Sequence, residues 1–377
     1  MAKNDQPIFA DARLRGSAFC AAHAAAADEW LASLFDEVVG DQSDVALIAI
    51  GGYGRGELWP ASDLDVALVH RGRSDIATVA EALWYPIWDR GLKLGYSVLT
   101  PKEATPLMRQ ELDRATAFLS TRHIAGAPQL IHDLEEVVAK VWSKNAYELL
   151  DKLAASVIER EEQFGDAAYR LEPDLKEGHG GLRDLHALQW AERAAPGFAS
   201  DFLEELQPQA EVLTEARVEL HRTTSRRGDV LTLDDQEPVA QALGDDNGTE
   251  LMMRLSQAAR RIAWHSDEAW RRHTRRRART GRSRPVKVLT GELVEAEGQI
   301  EIRPGVDIDA DPWLLLRVAE VAATQGLPIG HDSLERLASS STEMPEPWPA
   351  EARALFAGFC WQAETPLRSS KPLINST

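Results

Sequence analysis

Cysteine is nearly missing from this chain: only Cys20 and Cys360 occur, far apart and outside any C-x-x-C spacing. That excludes a disulfide framework and a thiolate zinc site, and it suits a reducing cytosol. Basic residues are outnumbered, 42 Lys and Arg against 60 Asp and Glu, for a formal charge of -18. Such a balance repels bulk nucleic acid, so no nucleic-acid partner is expected. A few focused arginines and a divalent cation can still hold a nucleoside triphosphate in an acidic protein. Long apolar runs are missing too, none approaching the roughly 18 residues that span a bilayer. The opening MAKNDQPIFADARLRG is too polar for a secretory signal. The expectation is a cytoplasmic protein with no membrane partner. What the chain does have is core material, 44% hydrophobic over 377 residues, enough for two domains or one large one.

Periodicity predicts a helix from Ala18 to Val39, a buried strand from Val45 to Ile50, a second strand from Leu64 to His70, a helix from Thr78 to Trp88 and a third strand from Tyr96 to Leu99. From Lys102 to Ala194 nearly everything reads as helical, broken by LEPDLKEGHGGLR at Leu171 to Arg183. Helices continue over Ala210 to Arg227 and Gly248 to Arg279, separated by GDVLTLDDQEPVAQALGDDNG, which reads as a loop because turn formers crowd it. Val286 to Arg303 alternates like a small hairpin, and the Pro- and Ser-rich tail beyond Ser339 reads as poorly packed. Trp270 to Arg284 is rich in arginine and reads as a solvated helix end.

The chemistry concentrates in IAIGGYGRGELWPASDLDVALV, Ile48 to Val69. Side chains alternate along a strand, so Asp63 and Asp65 project from one face while Leu64 turns inward. Two carboxylates on one face repel unless a cation lies between them, and hard oxygen ligands suit Mg²⁺. The Gly51-Gly52 turn lets the backbone approach a phosphate, and Arg55 adds a charged contact to the same group. Metal ligands beside a phosphate cradle are what attack at the α-phosphate of a nucleotide requires. Either element alone is weak; their order is specific, with Gly-Gly closing one strand and, ten residues later, Asp-Leu-Asp opening the next.

This pattern resembles the polymerase-β-like nucleotidyltransferase superfamily, and GGYGRGELWPASDLDVAL is similar to its bacterial PII uridylyltransferase/uridylyl-removing branch. Four later stretches resemble that branch in the same order: WDRGLKLGYSVLTPKEA, DRATAFLSTRHIAG, LEPDLKEGHGGLRDLHALQW and LMMRLSQAARRI. The third combines Lys176, Glu177, Gly178, Gly180, Gly181, Arg183 and Asp184 in a turn with no obvious packing purpose. The resemblance implies transfer of UMP from UTP, or AMP from ATP, to a tyrosine hydroxyl of the PII nitrogen-regulatory protein. Asp63 and Asp65 would hold Mg²⁺ and act as the catalytic carboxylates; Gly51, Gly52, Arg55 and Ser62 would bind the triphosphate; Lys176 and Arg183 would face the cleft.

The implied fold is α+β, a polymerase-β-like domain with a small mixed sheet followed by a mainly helical domain. The expected divisions are 1–130 for the nucleotidyltransferase domain, 131–338 for the helical part with a strand-like appendage at 286–303, and 339–377 for the tail. Superfamily members often place a third acid on a later strand, but Tyr96 to Thr100 carries none; Glu103 and Asp113 are the nearby acids. His179 and His186 flank the second glycine turn and read as ordinary satisfied histidines. The family's phosphohydrolase and glutamine-sensing domains are expected to be absent, His132-Asp133 and His331-Asp332 being incidental pairs, so this chain would transfer nucleotide without removing it. PAEARALFAGF resembles the family helix that precedes the hydrolase domain. Rival readings are a degenerate nucleotide sensor, or a transferase with another protein or a small molecule as its target.

Overall fold

The computed structural model describes residues 13–40, 44–224, 228–278, 286–296, 298–340, 342 and 344–363. The chain divides into two compact units, Met1–Trp270 and Arg271–Thr377.

The first unit opens with helix α1 (Gly16–Val38), strand β1 (Val45–Ala49), the single turn α2 (Gly51–Gly54) and strand β2 (Leu64–His70). Then come α3 (Ile76–Asp89), β3 (Leu94–Leu99), α4 (Ala104–Gln110), α5 (Leu112–Phe118) and β4 (Arg122–Gly126). Helices follow: α6 (Pro128–Phe164), α7 (Leu182–Ala194), α8 (Ser200–Leu203), α9 (Gln207–Thr224), α10 (Leu233–Leu243) and α11 (Gly248–Ala278). The four strands form one mixed sheet in the order β3-β2-β1-β4, with β1 antiparallel to β2 and β4, and β2 parallel to β3. The α+β character and the small mixed sheet are as expected from the sequence.

Alternation along the central strands divides the core. Leu47 and Leu68 join Leu31, Phe35, Leu83 and Trp84, so α1 and α3 cover one face; Ile48 and Val69 join Leu130 and Leu134 of α6 on the other. Each such fully buried aliphatic side chain stabilises the fold by about 1.5–3 kcal/mol. Every residue of β2 is buried except Asp65. An otherwise buried strand therefore presents one carboxylate near its opening end.

Two segments differ from expectation. The stretch expected to be helical from Lys102 to Ala194 contains β4, whose RHIAG is too short and too polar to signal a strand, and which forms by pairing with β1. The loop expected between α9 and α11 contains α10: Thr232 Oγ1 donates to Asp235 Oδ2 at 2.6 Å, Asp234 and Asp235 sit in the first turn, and Val239 and Ala240 are buried. The two first-turn acids, favourable at the positive end of the helix dipole, and the burial of Val239 and Ala240 outweigh Pro238 in the helix interior. The arginine-rich stretch is helical as far as Ala278, and residues 279–285 lie outside the described residues.

In the second unit β5 (Lys287–Val288), β6 (Leu293–Ala296) and β7 (Gln299–Ile302) form an antiparallel sheet, so the expected hairpin has a third short strand. Helices α12 (Leu314–Gln325), α13 (His331–Ala338) and α14 (Ala350–Ala363) complete the unit, with Leu293, Ile300, Leu314 and Val318 at its core. The tail expected to pack poorly thus carries a helix, the one read from PAEARALFAGF, and buries Ala352. Among the described residues no helix is long and apolar enough to cross a membrane.

Candidate active site

Chain geometry at the end of β1 sets the site. Gly51 begins α2 at φ +61°, a left-handed conformation that an L side chain resists, and the chain then doubles back, with Glu57 N–H donating to Gly52 O at 2.9 Å. A second turn, Ser62 N–H to Trp59 O at 3.1 Å, delivers Asp63 to the start of β2. The result is a cavity of about 770 Å³ in the first unit. All eight residues singled out from the sequence line it: Gly51, Gly52, Arg55, Ser62, Asp63, Asp65, Lys176 and Arg183.

Asp65 is a strongly perturbed acid. Burial and the neighbouring Asp63 push its carboxyl from an ordinary 3.8 up to about 6, against the pull of Lys176 and Arg114. Room for that carboxylate comes from the adjacent strand, where Gly95 stands directly opposite Asp65; a Cβ on Gly95 would lie 2.1 Å from Asp65 Oδ1. The strand searched for a third acid therefore has a glycine at the critical register. Asp113, in the first turn of α5, and Glu111 line the cavity instead. Glu103 is engaged elsewhere, its carboxylate accepting from Thr100 N–H at 2.7 Å and Thr100 Oγ1 at 2.9 Å. The donor set of two close hard oxygens, one held up in pKa by the other, fits a divalent cation. Among the described residues no three His, Cys, Asp or Glu side chains converge on a common ligand point.

The opposite wall comes from the turn at residues 171–183 and the helices behind it. That turn has the packing purpose its sequence did not reveal. Gly180, at φ +84°, lies so close to α11 that a Cβ would meet Ala259 O at 2.4 Å. Asp184, wholly buried, pairs with Arg160 of α6 and accepts from Gly180 N–H at 2.6 Å. His179 stands beside Asp267 at 3.0 Å and Asp166 at 3.5 Å; burial opposes its charge, but the two carboxylates lift its pKa to about 11. Thus anchored, the turn presents Lys176 and Arg183, whose side chains meet Glu177 at 3.2 Å and 2.9 Å.

Sequence reasoning missed several lining residues. Arg217 grips Asp229 through Nε at 2.7 Å and Nη2 at 3.1 Å, His221 reaches the same carboxylate at 3.0 Å, and the Arg217 guanidinium lies 4.0 Å from the Trp59 ring centroid. Both Arg55 and Arg183 stand within 6 Å of the Trp190 ring, at 5.9 Å and 5.7 Å. These residues come from α7, α9 and the loop before α10, and no local signal joins them. The chain is acidic as a whole, yet Arg55, Lys93, Arg114, Lys176, Arg183 and Arg217 converge on this one cavity. Such focusing suits a polyanionic ligand.

A family model described as GlnD PII-uridylyltransferase matches residues 148–201 and 197–270, the stretch that supplies the helical wall of the cavity. The bifunctional uridylyltransferase/uridylyl-removing enzyme of Streptomyces coelicolor is 37% identical over 365 residues, covering 92% of this chain. Over residues 148–270 the chain matches the PII-uridylyltransferase family model, and over most of its length it is similar to enzymes of that kind. Family relatives of the same description include that of Mycobacterium tuberculosis, 37% identical over 339 residues and 86% of this chain, and that of Corynebacterium glutamicum, 35% identical over 318 residues and 82% of this chain. This chain spans less than half the length of these family members: 43%, 42% and 44% of them, respectively.

Proposed function

We propose that this chain is a nucleotidyltransferase of the polymerase-β-like type, acting in the cytoplasm on the PII signal protein. It moves the nucleoside monophosphate of UTP, or of ATP, onto a tyrosine hydroxyl of PII and releases pyrophosphate. The observation that carries this reading is the convergence of Asp63, Asp65 and the Gly51-Gly52 turn with Lys176 and Arg183 in one cavity, inside a chain whose relatives are named uridylyltransferases.

In this reading residues 1–130 contribute the catalytic sheet and the helical residues after 130 close the cavity over it. Asp63 and Asp65 would hold Mg²⁺, and Asp113, which lines the same cavity, would serve as a third acid. The ion, when bound, supplies Lewis-acid polarisation of the phosphate and neutralises developing charge. Gly51 and Gly52 bring bare backbone to the triphosphate, Ser62 adds a hydroxyl, and Arg55, Lys176 and Arg183 offset the charge of the leaving pyrophosphate. Desolvation around Asp65 strengthens each of these contacts.

The test is incubation of this chain and Mg²⁺ with PII and each nucleoside triphosphate in turn, read by intact mass and peptide mapping. A gain of one nucleotide on a PII tyrosine supports the reading and names the base. Triphosphate binding with neither pyrophosphate release nor mass gain would instead make the chain a nucleotide sensor.

A further inference from the structure

We propose that His186 is a positioning residue for the nucleotide, acting through Glu57 to fix the Arg55 guanidinium at the glycine turn. The inference rests on the triphosphate reading of the cavity and assigns a role to a residue which that reading leaves unused.

One oxygen organises the cluster. Glu57 Oε2 accepts from Arg55 Nε at 2.9 Å and from Arg55 Nη2 at 2.7 Å, and His186 Nε2 lies 3.1 Å from the same oxygen. The His186 Nε2 to Arg55 Nη2 separation of 3.4 Å is then the distance between two donors sharing one acceptor. Burial and the nearby Arg55 hold the His186 pKa down to about 4, so the ring is neutral at physiological pH. Its one N–H belongs on Nε2, where the carboxylate is. Burial opposes ionisation of Glu57 too, but His186 and Arg55 outweigh it and hold that carboxyl far below its usual range.

Packing alone does not account for a histidine here. His186 is 5% exposed, and its Nδ1 is buried without a hydrogen-bond partner among the described residues. An orphaned buried nitrogen is destabilising, and an apolar side chain of similar shape would avoid it. What the polar ring adds is the third donor on Glu57 Oε2, which stops that carboxylate from rotating away with Arg55 attached. With Nε and Nη2 so engaged, the Nη1 group of Arg55 has no hydrogen-bond partner among the described residues and is left to meet a phosphate oxygen. An arginine ordered before its ligand arrives loses less side-chain entropy on binding. The His186–Glu57 contact joins α7 to the segment of the glycine turn, so the helical wall sets the aim of the phosphate-gripping wall.

The experiment measures UTP and ATP binding by calorimetry with Mg²⁺ present, and KM and kcat from pyrophosphate release with PII. The proteins are the wild type, His186→Leu, His186→Gln, Glu57→Gln, Arg55→Ala and the Arg55→Ala/His186→Leu double variant. Circular dichroism and melting establish that each is folded. His186→Leu is expected to weaken triphosphate binding and raise KM about tenfold, the scale of one misplaced charge-assisted contact, with kcat within about twofold. Glutamine, which can return an N–H to the Nε2 position, restores most of the loss. Glu57→Gln reproduces the loss by a separate route should His186→Leu not fold. In the Arg55→Ala background, His186→Leu adds less than about twofold, because its effect passes through the arginine. Unchanged binding in folded His186→Leu and Glu57→Gln overturns the proposal, as does a full additional loss in the double variant. A wild type that binds neither triphosphate overturns the site reading and this proposal together; a wild type that binds while the variants match it overturns this proposal alone.

Discussion

Replacing Asp65 by asparagine should stabilise this protein while disabling it. The Asp65 carboxyl is raised from 3.8 to about 6 by burial and by Asp63, so ionising it at neutral pH works against the fold. A shift of that size, about two pK units at 1.36 kcal/mol each, corresponds to a penalty of about 3 kcal/mol at most. Because the folded protein binds this proton more tightly than the unfolded chain, the stabilising effect of the protonated carboxyl is complete below pH 3.8 and lost as pH rises through about 6. Asparagine resembles the protonated form at every pH. In chelator at pH 7.5, Asp65→Asn is therefore expected to melt above wild type by at most about 6–12 °C, taking about 2–4 °C per kcal/mol for a unit of this size. At pH 4 the two should nearly coincide. Added Mg²⁺ should raise the wild-type melting temperature and leave that of the variant almost unmoved, while pyrophosphate release by the variant falls at least about a hundredfold. Calorimetric melts at both pH values, with and without Mg²⁺, decide it. A variant that melts at or below wild type at pH 7.5, or a gap that persists at pH 4, refutes the argument that the carboxylate pair is held together against its own repulsion.

Two further substitutions probe how the site is held. Gly95→Ala places a methyl group 2.1 Å from Asp65 Oδ1, so the carboxylate must swing aside; nucleotide transfer should drop about tenfold or more with melting little changed, and a variant with wild-type kcat would show that the Asp65 geometry is not limiting. Asp184→Ala leaves the mostly buried Arg160 guanidinium without its carboxylate and Gly180 N–H without its acceptor at the base of the second glycine turn; urea unfolding should show a loss of about 3–5 kcal/mol, and a loss under about 1 kcal/mol would mean that the turn is anchored elsewhere.

Legibility from sequence followed the range of the interactions. Strand β2 occupies the span predicted for it, Leu64–His70, because six of its seven residues are buried and their pattern is local. The same-face argument for Asp63 and Asp65 needs only the two-residue period of a strand, so it could be made without coordinates. Strand β4 could not be found that way: RHIAG has no apolar run, and its structure is conferred by pairing with β1, more than 70 residues earlier. Helix α10 was hidden by counting turn formers, when Thr232 and two acids are also what the start of a helix favours.

The two walls of the cavity were legible for different reasons. The glycine turn and its carboxylates announce a chemistry by residue type and spacing. Lys176 and Arg183 do not; they were reached only through resemblance, and the glycines around them looked purposeless because their purpose is contact with α11, some 80 residues later. His186 is the sharpest instance. Taken alone, a histidine on a helix reads as an ordinary buried side chain, and its sequence neighbours say nothing else. Only the placement of Glu57 Oε2 between it and Arg55 distinguishes a group that is merely buried from one that holds another in place, and that placement exists only once α7 has packed beside the turn after β1. A residue whose effect passes through a distant partner leaves no spacing to read, which is why the groups proposed to react could be named from the sequence and those proposed to aim them could not.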